Sequence, residues 1–124
     1  MRLLLDTHVF IWWQQDHKLL KADARRAIAR ADAVFVSAAS AWEAAIKIAL
    51  GKLQIPATFS EGVAESEFTE LPISISHAER LGALPMHHTD PFDRLLIAQA
   101  DCEGLTLVTH DRSFSPYEIS LFWT

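Results

Sequence analysis

A single cysteine, four glycines and the lack of any long apolar run set the first limits on this chain of 124 residues. Cys102 alone forms no intramolecular disulfide and falls far short of a cysteine-rich zinc site, so a reducing compartment is expected. No stretch approaches the ~18–20 apolar residues of a membrane span. Arg2 followed by Leu3, Leu4 and Leu5 resembles a secretion signal only briefly, because Asp6 and His8 break the apolar region. Positive charge is scarce as well. Eleven Lys and Arg against sixteen Asp and Glu give a formal charge of −5, which excludes a generic basic coat for nucleic acid, since phosphate neutralisation needs a cationic face. What is plentiful is apolar surface: half the residues, with four Trp and seven Phe, enough to offset ordering entropy and exclude disorder. One domain over residues 1–124, in a soluble cytoplasmic protein, is the expectation.

Arg2–Leu5 reads as a strand buried on both faces, Ala33–Ser37 as a β-branched and aromatic strand, and Leu105–Thr109, after Gly104, as a third. Helical patterns lie between them. Ala22–Ala31 is Ala- and Arg-rich, and Ala41–Leu50 sets Trp42, Ala45, Ile46, Ala49 and Leu50 on one face before Gly51. Pro56–Phe68 is a weaker helix holding Gly62, and Thr69–Leu71 a short strand. Ser76 with Glu79 has the form of a capping box opening a helix to Leu84, and Asp90-Pro91 caps and starts one that runs to Glu103. A last strand falls near Ile119–Phe122. This alternation predicts an α/β fold with a mostly parallel sheet of four to five strands between helical layers, whose ligands bind beyond the carboxyl ends of the strands.

Acids stand at those ends. Asp6 follows the first strand directly and Asp111 follows the Thr106–Thr109 strand by two residues. Glu43 is expected in the first turn of the helix after the second strand, and Asp93 in the first turn of the helix before Thr106. Crowded carboxylates stay ionised only with cations among them, and hard oxygens select Mg²⁺ or Mn²⁺. Each acid also fits an ordinary structural role. Asp6 suits an N-cap and Asp111 an Asx turn; Glu43 fits a capping box with Ser40 or an i,i+4 pair with Lys47; Asp93 favours its helix dipole while Asp90 caps. Spacing alone leaves both readings open.

Four blocks carry a resemblance. Leu3-Leu-Leu-Asp-Thr-His8, Val36-Ser-Ala-Ala-Ser-Ala-Trp-Glu43, His88-Thr-Asp-Pro-Phe-Asp-Arg-Leu-Leu-Ile-Ala-Gln-Ala100 and Leu107-Val-Thr-His-Asp-Arg112 resemble the acidic blocks of PIN-domain proteins, most of all VapC-type ribonuclease toxins. The likeness covers nearly the whole chain, and the Asp-Pro-Phe-Asp-Arg block is its most specific piece. It implies a PIN-like three-layer α/β/α fold, with metal-binding and catalytic acids at Asp6, Glu43, Asp93 and Asp111. It further implies Mg²⁺ or Mn²⁺ as cofactor, RNA as substrate, a small VapB-like antitoxin as partner, and a homodimer. Thr109 matches the hydroxyl residue that accompanies the last acid, and Ser113 stands where relatives often carry another acid.

Other residues are weighed beside these. Thr7 and Thr109 are expected to support the acids; Arg94 and Arg112 either contact substrate phosphate or pair with the carboxylates. The six histidines lack zinc-site spacing and read as surface or supporting residues. Trp42 and most of Phe10–Trp13 read as core, with the surplus apolar face left for a second copy or a partner. Two other functions remain in view: a non-catalytic RNA-binding module, and a phosphatase of the haloacid dehalogenase type. That second family wants an Asp two positions after the first, where this chain has His8.

Overall fold

Strand alternation decides the layering. In the computed structural model, which describes Met1–Thr124, the elements run β1 (Arg2–Leu5), α1 (Thr7–Gln15), α2 (Ala22–Arg30), β2 (Ala33–Ser37), α3 (Ala38–Ala49), α4 (Phe59–Glu65), β3 (Thr69–Leu71), α5 (Ile75–Ala83), α6 (Pro91–Glu103), β4 (Thr106–Thr109) and β5 (Leu121–Trp123). Leu3 and Leu5, Val34 and Val36, and Val108 belong to one core with Val9, Phe10, Leu20, Ala24 and Ile28. Leu4 and Leu107 belong to another, with Leu95, Leu96, Ile97 and Ala100 of α6 and with Phe114 and Tyr117 from the β4–β5 connection. Each of the Leu, Ile, Val and Phe side chains among them contributes ~1.5–3 kcal/mol when fully buried. A strand buried on both faces needs no polar alternation, which is why Leu3-Leu4-Leu5 forms one.

All five strands are parallel, in the order β3-β2-β1-β4-β5. Chain order reverses at β1, with β2 on one side and β4 on the other, so the β1 and β4 carboxyl ends flank a topological switch point. The sheet is wholly rather than mostly parallel. Helix α6 is buried at every position from Arg94 to Ala100 and stops at Gly104, whose φ of 65° is left-handed.

Several expectations shift. Helix α3 starts at Ala38, capped by Ser37 Oγ accepting the Ala39 N–H at 3.0 Å, so Ser40 is no cap and Glu43 lies in the second turn. The buried face of α3 carries Ala39, Ser40, Glu43 and Ala44, while Trp42 (56% exposed) and Leu50 (62%) face outward. Apolar periodicity identifies the helix but not which side its neighbours α1 and α6 bury. Helix α5 opens at Ser74, two residues before the expected Ser76, because His77 replaces the usual Glu of a capping box and its Nδ1 accepts the Ser74 N–H. Helix α4 is shorter than Pro56–Phe68 and is capped by Thr58 and Glu61. Gly62, inside that helix, lies against the amide end of the Gln14 side chain of α1, which a Cβ would displace.

Gln99 ties the layers. Fully buried, it accepts from Ser37 Oγ and donates through Nε2 to the Pro72 carbonyl at 3.3 Å, joining α6 to the start of α3 and the end of β3. Gln99→Leu leaves the buried Ser37 hydroxyl without its acceptor and is expected to cost about 1–3 kcal/mol by urea unfolding. A loss below about 0.5 kcal/mol would contradict this account.

Candidate active site

Asp6 stands at the end of β1 in the N-cap position of α1, yet its side chain makes no cap hydrogen bond. It instead accepts from Thr109 Oγ1 at 2.8 Å, at the end of the adjacent β4. The same hydroxyl oxygen accepts the Asp111 backbone N–H at 3.0 Å, so one threonine fixes two acidic residues. Thr7 donates to Ser40 Oγ at 2.8 Å and thereby joins the start of α1 to the buried side of α3. On that side Glu43 is buried, its Oε2 3.0 Å from Lys47 Nζ and its Oε1 without any partner. The expected i,i+4 pair thus exists, but it occupies only one of the two carboxylate oxygens.

Asp93 lies in the first turn of α6. Asp90 is the cap, accepting the Phe92 and Asp93 N–H groups at 2.9 and 3.0 Å, which leaves the Asp93 carboxylate for other work. Its Oδ2 is 2.8 Å from His88 Nε2. Because His88 Nδ1 accepts the Thr89 N–H at 3.0 Å, the neutral imidazole carries its proton on Nε2 and donates to Asp93. His88, Asp93 and Asp111 each offer a ligand atom, all within 4.8 Å of one another. Asp111 Oδ1 meanwhile accepts the Ser113 N–H at 2.9 Å, so the Asx-turn role is also real.

Electrostatics separates the acids. Burial raises the Asp6 pKa, opposed by Thr109 and His8 and reinforced by Glu43. Asp93 is pushed up to about 7 by burial, then by the charges of Asp6 and Asp90, with His88 acting against the rise. Asp111 ends below its ordinary value: partial burial pushes upward, but the Ser113 N–H and the nearby His88 and His8 outweigh it. Oxygen ligands of this kind suit a hard divalent cation. Glu43 Oε1, buried without a partner, adds to the fit, because unmet polar atoms are rare in interiors unless a ligand or water meets them.

Two arginines behave differently from each other. Arg94, 5% exposed, pairs with no carboxylate and is turned into the interior. Its Nη1 donates to the Pro85 carbonyl at 2.9 Å and to Tyr117 Oη at 3.1 Å, and its Nη2 to the carbonyls of Leu81 and Leu84. Tyr117 Oη also accepts the His88 N–H at 2.9 Å, so Arg94 pins the segment that presents His88. Arg112 forms no ion pair either; its guanidinium lies 4.2 Å from the centre of the Trp123 ring. The reading of the histidines as surface or supporting residues does not single out His88, because nothing in its spacing separates it from its neighbour His87. Only the fold places its ring on Asp93.

A parallel α/β sheet with acids gathered at its switch point is the arrangement of a PIN domain. The family model for the PIN domain matches residues 3–119, and the chain belongs to that family. It is similar to ribonuclease VapC22 of Mycobacterium tuberculosis, with 38% identity over 114 residues, 89% of this chain and 87% of that one. The fold is similar to VapBC2 from Rickettsia felis bound to a promoter DNA fragment, at 17% identity and a TM-score of 0.74, covering 98% of each chain. It is also similar to FitAcB from Neisseria gonorrhoeae, at 19% identity and a TM-score of 0.69, covering 97% of this chain and 96% of that one.

An acid whose folded pKa lies above its ordinary value holds more protons folded than unfolded between the two values. Asp93 therefore weakens folding progressively as pH climbs from 3.8 to about 7. In metal-free buffer Asp93→Asn is expected to raise the melting temperature at pH 8 by about 2–6 °C, the shift that ~1 kcal/mol produces at this size, and by less at pH 5. A gain at pH 5 equal to that at pH 8 would contradict the assignment.

Proposed function

We propose that this chain is a Mg²⁺- or Mn²⁺-dependent endoribonuclease, the toxin of a cytoplasmic toxin–antitoxin pair, with Asp6, Glu43, Asp93 and Asp111 as its catalytic and metal-binding acids. The observation that carries the reading is the buried carboxylate group itself: Asp6, Glu43 and Asp93 interact at the switch point and burial and mutual charge drive the Asp6 and Asp93 pKa values upward. Stability alone gives no reason to assemble such a set. Similarity to a ribonuclease over most of the chain supports the choice of RNA, and similarity in fold to chains from toxin–antitoxin complexes supports a VapB-like antitoxin as partner. A homodimer follows from the family resemblance, and the exposed Trp42 and Ile46 of α3, with Leu50 just after it, supply apolar surface for such contacts. No helix is long and apolar enough to cross a membrane.

Asp6, Asp93 and Asp111 are the residues to hold the ion, with Glu43 Oε1 available either to bind it or to orient the attacking water. A divalent ion bound there supplies Lewis acidity, making water more acidic and neutralising charge on the phosphoryl group. The chain's own residues supply position. Thr109 sets Asp6 relative to Asp111, His88 orients Asp93, and Lys47 restrains Glu43. Removing a supporting group of this kind typically costs ~10–100-fold in activity or metal affinity.

Asp93→Asn is expected to remain folded while losing more than about a hundredfold of Mg²⁺-dependent RNA cleavage, beyond the range of an outer-sphere change. Full activity in that variant would sink the assignment. Thr109→Val is expected to keep the fold and retain activity reduced about 10–100-fold, with a higher Mg²⁺ requirement. An unaltered Mg²⁺ titration would remove Thr109 from the supporting set.

A further inference from the structure

Beside Asp6 and Asp111 the surface opens into a hollow of about 390 Å³, completed by His8, Trp12, His110 and Arg112. That volume lies within the ~300–1,000 Å³ typical of small-ligand sites. Of the four added residues only His8 acts on the carboxylates, through its charge; Trp12, His110 and Arg112 make no hydrogen bond or ion pair with them. We propose that this hollow is a nucleoside-binding site, receiving the base and ribose next to the cleaved phosphate of RNA; the location of that phosphate rests on the nuclease reading of Asp6 and Asp111.

The wall chemistry carries the proposal. One end is acidic and belongs to the metal site, whereas the rest is one indole, two imidazoles and one guanidinium. Flat π surfaces and N–H donors suit a nucleobase, which offers two π faces and an edge of acceptors, while a cation at the rim suits the phosphate that follows. The walls are also held before any ligand arrives. Trp12 is stacked on His17, with ring centres 5.7 Å apart and planes 23° apart, and His110 meets it edge-on at 5.4 Å and 74°. His8 is tilted against the same indole at 6.2 Å. His17 Nδ1 accepts the Leu19 N–H at 3.1 Å, and His110 Nδ1 donates to the Thr124 backbone oxygen at 2.8 Å. Arg112 is steadied over Trp123 rather than drawn into the acids. Pre-ordered aromatic walls lose little entropy on binding, which is how such a site gains affinity for a flat ligand.

This also accounts for a feature of the sequence that a core role did not absorb. Phe10 and Ile11 are buried, but Trp12 is only partly so: it packs against the apolar core and also meets the imidazoles of His8, His17 and His110.

The test is an NMR titration of the Mg²⁺-loaded protein, following the imidazole signals assigned through His8→Ala and His110→Ala. Each nucleoside 5′-monophosphate is compared with inorganic phosphate, and RNA cleavage is measured alongside. Nucleotides are expected to move the His8 and His110 signals in a saturable way that inorganic phosphate does not reproduce. Trp12→Ala and His110→Ala are each expected to weaken nucleotide affinity about tenfold, raise KM for RNA and flatten the preference for the base beside the cut, with Trp12→Phe retaining most of both. Equal shifts from phosphate and nucleotides would overturn the site. So would wild-type nucleotide affinity and base preference in both alanine variants, the second guarding against a misfolded first. Nucleotide binding by a protein that cuts no RNA would support the hollow and reject the nuclease reading; cleavage without any nucleotide effect would reject the hollow alone.

Discussion

Holding carboxylates together out of water is the constraint on which the carboxyl edge of this sheet depends. Two like unit charges 4 Å apart repel by about 4 kcal/mol at an effective dielectric of about 20, and burial adds a penalty for each charged form. Asp6 and Asp93 both show the result, with pKa values driven above the ordinary carboxylate range. A fold that keeps such groups adjacent must be rigid enough to prevent their drifting apart. The parallel sheet supplies that rigidity: β1 and β4 are hydrogen-bonded neighbours, packed from both sides, so the residues that follow them have little freedom to separate.

The polar braces around the site share one logic. Thr109 uses both functions of a hydroxyl, donating to Asp6 and accepting from the Asp111 backbone. His88 uses both ring nitrogens, one against the Thr89 N–H and the other against Asp93. Arg94 spends its guanidinium on three backbone carbonyls and on Tyr117, which in turn accepts the His88 N–H. A buried cation so placed offsets nothing in the carboxylate group directly; it stabilises the loop from which His88 reaches Asp93. The geometry of Asp93 thus depends on contacts as far away as the end of α5.

Much of this was legible in the sequence because the signals were local. Continuous apolar runs such as Leu3–Leu5 mark strands in a parallel sheet, and an acid directly after such a run must lie at its carboxyl end. The identity of the cap at Asp90 was equally local, since Pro91 fixes the start of the helix. What escaped depends on three-dimensional neighbours. Arg94 stands beside an acid in the chain, but helical geometry turns it inward to the α5–α6 connection. Trp42 follows the apolar periodicity of α3, yet α1 and α6 pack on the helix and bury the side carrying Ser40 and Glu43, leaving the indole outside against the edge of Phe92. A histidine acting as the third residue of a capping box lies outside the usual Ser/Thr with Glu/Gln pattern, so the start of α5 was misplaced.

The acidic balance of the chain takes on a different meaning once these positions are known. A formal −5 spread evenly over the surface would repel RNA everywhere, whereas here several of the acids converge on one edge of the sheet. Charge concentrated in that way is reversible, because a divalent ion held among the acids would turn a repulsive point into an attractive one. Next to it the walls of the hollow carry a guanidinium and imidazoles with no further carboxylate beyond Asp6 and Asp111. Net charge argued against a protein that coats nucleic acid because coating needs a long cationic face. It places no such demand on a protein that engages one phosphodiester and the nucleoside beside it, for which the sign of the field within a few ångströms of the site outweighs the sum over the whole surface.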